Sequence, residues 1–402
     1  MKKLLTIIFL SLFSLLLNGQ GIWTQKASIS YSRDDAFSFS IGNKGYVGGG
    51  VHQDSISSQQ YLSDFWEYDP TLNSWTQIAN FGGGVRAGGI GFSIGNKGYA
   101  GMGLNNITYL PLKDFWEYDP TLNTWTSKTD YGGGNIIYPV GFSIGNKGYV
   151  GTGADSIAAR NDFWEYNPAI NTWTQKTNFS GIARWCAVGF SIGNKGYIGT
   201  GIGATNPFTD FWEYDTTLNS WTQKANVGGV SRWLASAFSI SNKGYIGIGL
   251  DSSNYYLNDF WEYNPSIDQW LQKANYPGNG WEEGQFFSIG NKGYFGMGGN
   301  PITFSDFWEY TPDISISIEE INNSTNIIIY PNPFTSQTTI KFSEEQKNTT
   351  IRIIDLLGKE IKTINFTGRQ LVIDKGEMQE GIYFVQTIDE KKNVINKKII
   401  IQ

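Results

Sequence analysis

Arginine is sparse in the first three quarters of this chain, and its placement is regular. Of the five arginines between residues 20 and 310, four (Arg33, Arg86, Arg184 and Arg232) occupy one slot, each 13 residues before the Tyr of an Asn-Lys-Gly-Tyr string. Tryptophan divides the same way. Twelve of the 15 fill two recurring positions, while Trp185, Trp233 and Trp281 stand in the arginine slot or next to it. Guanidinium groups offer paired hydrogen bonds to a carboxylate, and flat indoles suit sugar rings or apolar side chains. Glu282 follows Trp281, and Tyr138 lies near Ile136, which holds the slot in the one passage that has neither Arg nor Trp. The candidate ligand-binding set is therefore Arg33, Arg86, Tyr138, Arg184, Trp185, Arg232, Trp233, Trp281 and Glu282. A second explanation stands beside it: an arginine kept in a repeat can serve internal hydrogen bonds. The three extra tryptophans favour binding, and the residue types favour an anionic or sugar-like ligand.

The slots exist because the sequence repeats. Asp-Phe-Trp-Glu-Tyr begins at Asp64, Asp114, Asp162, Asp210, Asp259 and Asp306, at spacings of 50, 48, 48, 49 and 47. Asn-Lys-Gly-Tyr begins at Asn43, Asn96, Asn146, Asn194, Asn242 and Asn291. A third element is led by Trp23, Trp75, Trp125, Trp173, Trp221 and Trp270. Six copies at this period match propeller blades of four strands each. Within one copy, Gly91–Ile94 ends a first strand and Gly95-Asn96 makes a tight turn. Lys97–Gly103 is a second strand, Asp114–Tyr118 a third, and Thr124–Thr126 a fourth. The Glu in each Phe-Trp-Glu-Tyr copy recurs in every blade, so it serves the blade rather than a reaction.

These residues resemble the kelch family. Tyr68-Asp69-Pro70 followed by Trp75, and Tyr118-Asp119-Pro120 followed by Trp125, carry the likeness, which extends over about residues 22–310. It implies an all-β, six-bladed propeller. The segment Ile22–Lys26 precedes any first strand, and the sixth copy lacks a Trp strand, so the N-terminal strand is expected to pair near Phe307–Tyr310 and close the ring. The inter-blade connections and the loops between second and third strands then emerge on one face. That face varies in sequence while the opposite face barely changes, as in a binding scaffold.

The remainder of the chain frames this domain. Lys2 and Lys3 precede an apolar run, Leu4–Leu17, that reads as a signal peptide ending at Gly19. No later segment is apolar for long enough to cross a bilayer as a helix, so no span is expected in the mature protein. Net charge is −6 and basic residues are dispersed, which argues against nucleic acid. One Cys and one His, Cys186 and His52, cannot assemble a zinc site of the usual kinds; no metal, cofactor or catalytic residue is assigned. After Tyr310 the composition shifts: residues 311–326 read as a linker and residues 327–402 as a small β-sandwich. There Tyr330-Pro331-Asn332-Pro333, Asp355-Leu356-Leu357-Gly358-Lys359, Gly381-Ile382-Tyr383 and Lys397-Lys398 resemble the C-terminal sorting domain of type IX secretion substrates. That likeness implies passage through the periplasm, engagement of outer-membrane secretion machinery and a secreted or surface location.

The sequence thus points to a secreted recognition propeller, domain 20–310, that binds a glycan or surface protein. A glycan-active enzyme on the same face, sialidase-like or sugar-epimerase-like, is the alternative. Arg33, Arg184, Arg232, Tyr138 and Glu282 could supply sialidase-like residue types, although the sialidase repeat motif is absent.

Overall fold

The computed structural model describes residues 20–55, 58–279, 282–299, 302–313, 327–355, 359–390 and 394–402. The expected signal peptide and most of the expected linker lie outside these. The chain divides into two compact units, one running to Asp313 and one from Ile314.

The first unit contains six four-stranded antiparallel sheets among the described residues. Blade 2 comprises Ile90–Ile94, Lys97–Gly101, Phe115–Asp119 and Thr124–Lys128, within a few residues of the expected strands. Blades 1, 3, 4, 5 and 6 begin at Phe37–Ile41, Val140–Ile144, Val188–Ile192, Ser236–Ile240 and Gln285–Ile289. These first strands touch one another in a closed circuit and line the central channel. Closure is as expected: Ile22–Lys26 pairs antiparallel with Phe307–Thr311, setting Trp23 opposite Tyr310. The N-terminal strand is therefore the outer strand of blade 6.

The repeated residues account for the blade interfaces. In each of the six Lys-Gly-Tyr strings a Cβ on the glycine would lie 2.1–2.5 Å from a Phe ring of the preceding blade, as at Gly98 against Phe39 and Gly45 against Phe287. The glycine thus admits a neighbouring aromatic ring. The outer-strand Trp joins the same interface: Trp125 packs edge-on to Phe65 of blade 1 at 5.1 Å and its Nε1 donates to Ala79 O. Trp75 and Trp23 do likewise with Phe307 and Phe260, so the contact runs around the whole ring. The recurring Glu accepts from the second-strand Tyr of its own blade, as Tyr149 Oη does to Glu165 Oε2 at 2.9 Å.

In the second unit the short runs expected at 339–342 and 350–355 form one strand, Gln337–Asp355, and those at 360–365 and 370–374 form another, Glu360–Asp374. Register shifts after Lys341 and Gln346 let this long pair bend. Five strands thereby enclose a single core that includes Ile340, Ile351, Ile353, Ile373, Val385 and Ile399.

Candidate functional site at the channel mouth

The four slot arginines do not line a ligand site. Arg33, Arg86, Arg184 and Arg232 are buried to 0–2% exposure. Each is bidentate to the Asp that opens the Asp-Phe-Trp-Glu-Tyr string of its blade. Arg184 Nη1 and Nη2 donate to Asp210 Oδ1 and Oδ2 at 2.6 and 2.8 Å, and Nη1 also donates to Thr200 O at 2.9 Å. Arg232 repeats this with Asp259, both bonds at 2.7 Å, and with Ile248 O. Arg33 pairs with Asp64, and Arg86 with Asp114. The same aspartates accept the indole N–H two residues on, as Asp259 does from Trp261. Burial alone would raise the Asp64 and Asp259 carboxyls, but the Arg hydrogen bonds and charge outweigh it and hold both below the usual range. These arginines tie the inter-blade connection to the blade, so in the structure they serve internal hydrogen bonds and do not face the channel mouth as candidate ligand contacts.

The exceptions to the slot support this. Blade 3 has Ile136 there, and its Asp162 is met instead by Arg160, at 3.3 Å, and by the Tyr131 hydroxyl. The Tyr131 position is Phe81 in blade 2 and Phe179 in blade 4, which keep their arginines. Blade 6 has Trp281 in the slot, outside the described residues, and Tyr276 Oη donates to Asp306 at 3.4 Å. A tyrosine enters where the arginine is lost.

The mouth itself is built by the two residues that follow the slot. The first forms a β-bridge or short ladder with its blade's second-to-third loop in all six blades: Asp34, Ala87, Ile137, Trp185, Trp233 and Glu282. This pairing places the inter-blade connections and the variable loops on one face, as expected. The second residue is Asp35, Gly88, Tyr138, Cys186, Leu234 or Glu283, each at a φ of 50–61°. This left-handed turn aims the side chain at the channel, and all six line its cavity, about 750 Å³ including the part open to solvent. Amide links join some of the neighbours, as from Gly88 N to Asp35 O and from Tyr138 N to Gly88 O.

The mouth has two unlike sides. Blades 6 and 1, adjacent through ring closure, supply Glu282, Glu283, Asp34 and Asp35. Carboxylate oxygens of Asp34, Asp35 and Glu283 all lie within 4.8 Å of one another and are the residues that could hold a cation. Blades 3, 4 and 5 supply a wall of rings: Tyr138 and Trp185 are 5.6 Å apart, and Trp185 and Trp233 5.9 Å. Tyr256 belongs to the same cluster and its hydroxyl donates to Glu282 Oε1 at 3.4 Å. Tyr138 reaches across the channel, donating to Asp35 Oδ2 at 2.6 Å. Its phenol is pushed upward by burial first and then by the nearby Asp35 charge. Burial raises Asp35 to about 6, and burial together with Asp35 and Glu282 raises Asp34 to about 8. Glu283 is also driven well up, by burial and then by Asp35 and Asp34. Cys186 is buried in the same wall, its thiol raised by burial.

Of the expected site residues, Tyr138, Trp185, Trp233 and Glu282 meet at this mouth. Asp34 and Asp35 are absent from the candidates, although they stand one and two places beyond the arginine slot, while Glu283 pairs in sequence with the candidate Glu282.

Comparison with known proteins agrees with this architecture. Residues 40–82 match the Kelch motif model, and residues 328–402 match the secretion system C-terminal sorting domain. The chain is a kelch-repeat β-propeller with a type IX sorting domain. The sorting domain marks this kelch protein for export to the cell surface or extracellular space. The solved structure of YjhT resembles it with a TM-score of 0.63 over 72% of this chain and 98% of that one, at 13% identity, a likeness of fold. A 95-residue stretch is 30% identical to an endo-acting ulvan lyase of Formosa agariphila. That match covers 22% of the kelch protein and only 18% of the lyase. Among the described residues no helix is long and apolar enough to cross a membrane.

Proposed function

We propose that this protein recognises carbohydrate outside the cell through the channel mouth. The observation that carries the reading is the two-sided mouth, with rings of Tyr138, Trp185 and Trp233 facing carboxyl groups of Asp34, Asp35 and Glu283. A pyranose has the same duality: a C–H face that stacks on aromatic rings and hydroxyls that donate to carboxylate oxygens. Exposed tyrosines on the same loops, Tyr109 and Tyr255, extend the aromatic surface outward. Because the arginines are committed to aspartates, an anionic ligand loses its basis. A glycan array probed with the purified protein tests the reading: hits that weaken with Trp185→Ala and Trp233→Ala support it, and hits indifferent to both reject it.

One observation favours a glycan-active enzyme as the second reading. Asp35, raised by burial to about 6 beside the Tyr138 hydroxyl and Glu283, keeps its proton to higher pH than an ordinary carboxyl, as a general acid does. Turnover of array hits, lost in Asp35→Asn, would support that reading over binding alone.

A further inference from the structure

The cavity's charge is one-sided. Its lining residues include Asp35 and Glu283 but no Lys, Arg or His among the described residues. Asp34 and Glu282 add two more carboxyl groups at the rim, from the same pair of blades. The neighbouring cations are committed elsewhere. Arg33 is bidentate to Asp64, and His52 Nδ1 faces the Ser32 hydroxyl and carbonyl. On the opposite side of the mouth stand the indoles of Trp185 and Trp233, with Tyr138 between the two sides. An aromatic wall across from desolvated carboxyl groups is an environment for a positive charge attached to a flat ring: the carboxylates pair with the charge and the ring quadrupoles also attract it.

We infer that the sugar this mouth takes carries a free ammonium group, as in a de-N-acetylated hexosamine, with the ammonium on the blade 6 and blade 1 carboxylates and the ring against Trp185 and Trp233. This rests on the carbohydrate reading above and specifies its ligand class. A simple aliphatic ammonium would meet the acidic side but leave the indoles without a partner. An N-acetylated sugar would meet the indoles but leave the carboxyl groups uncompensated. The groups facing the ammonium are Asp34, Asp35, Glu282 and Glu283, with the Tyr138 and Tyr256 hydroxyls and the Cys186 thiol around them.

The test is titration calorimetry on the full protein in EDTA, with three tetrasaccharides of matched linkage: one of glucosamine, one of N-acetylglucosamine and one of glucose. The expected result is at least tenfold tighter binding of the glucosamine form at pH 6.5. Asp35→Asn and, separately, Glu282→Gln should reduce that preference several-fold while thermal melts show the fold intact. Equal affinity for the charged and uncharged sugars overturns the inference and leaves carbohydrate recognition standing. Binding of putrescine or a lysine peptide, but of none of the sugars, overturns both. Calcium that binds stoichiometrically without EDTA and excludes the glucosamine form also overturns the inference, by assigning the carboxylates to a metal.

Discussion

Arg232 and Trp233 are consecutive, yet the first points into its blade and the second to the channel mouth. Replacing each by Ala should separate a structural role from a ligand-facing one. Arg232 is fully buried, makes two bonds of 2.7 Å to Asp259 and donates to Ile248 O. Its removal leaves Asp259, whose side chain is only 19% exposed, to the indole N–H of Trp261. Breaking a buried pair from one side costs about 3–5 kcal/mol. For a domain of this size that corresponds to a fall in Tm of roughly 2–4 °C per kcal/mol, hence about 10 °C. Trp233 is half-buried and packs on Trp185 and on the edge of the Cys186, Leu234 and Leu250 cluster, so Trp233→Ala should cost about 1–2 kcal/mol. Calorimetric melts of the two variants, with glycan binding measured on each, decide the matter. The double variant Arg232→Ala/Asp259→Ala should recover part of the loss, because the uncompensated carboxylate is gone. If Trp233→Ala were as destabilising as Arg232→Ala, Trp233 would be core and the proposed mouth would lose half its wall.

Other expectations follow from the same geometry. Asp34 and Asp35 are raised from 3.8 to about 8 and about 6, so the folded state binds protons that the unfolded chain releases. Their contribution is therefore favourable below about pH 4 and is lost as pH rises towards 8. Urea midpoints of Asp34→Asn/Asp35→Asn should gain on wild type across that window, and parallel curves would refute the raised values. Gly98→Ala sets a methyl 2.3 Å from the Phe39 ring and should destabilise the propeller by about 1–3 kcal/mol in chemical denaturation. Deleting residues 20–27 bares the edge of Phe307–Thr311 and should turn a monodisperse protein into an aggregating one by light scattering. Truncation before residue 328 should abolish appearance in the medium or on the surface while a folded propeller stays within the cell envelope, read by cell fractionation.

Periodicity made the blade count and the closing strand legible in the sequence, because each recurring residue performs one local task. The Gly admits the neighbouring blade's Phe, the Trp packs into the same interface, and the Glu receives the Tyr hydroxyl of its own sheet. Those tasks depend only on strand order and spacing, and both are visible in one dimension. The sorting domain was legible for a different reason, short motifs in order, although the merging of its short runs into two long strands was not. A bulge continues hydrogen bonding past an irregular stretch that reads as a break.

The direction of each side chain was decided only in three dimensions. The sequence marked the inter-blade connections as the special region but gave the arginines and the tryptophans the same weight. Whether Arg184 meets a ligand or Asp210, 26 residues further on, depends on how the connection lies over its own blade. The acidic side of the mouth depends still more on closure. Asp34 and Glu282 are separated by most of the propeller sequence and become neighbours because Ile22–Lys26 joins the last blade to the first. Composition and spacing fix what each blade is made of, whereas the charge of the channel mouth arises from which two blades the closed ring brings together.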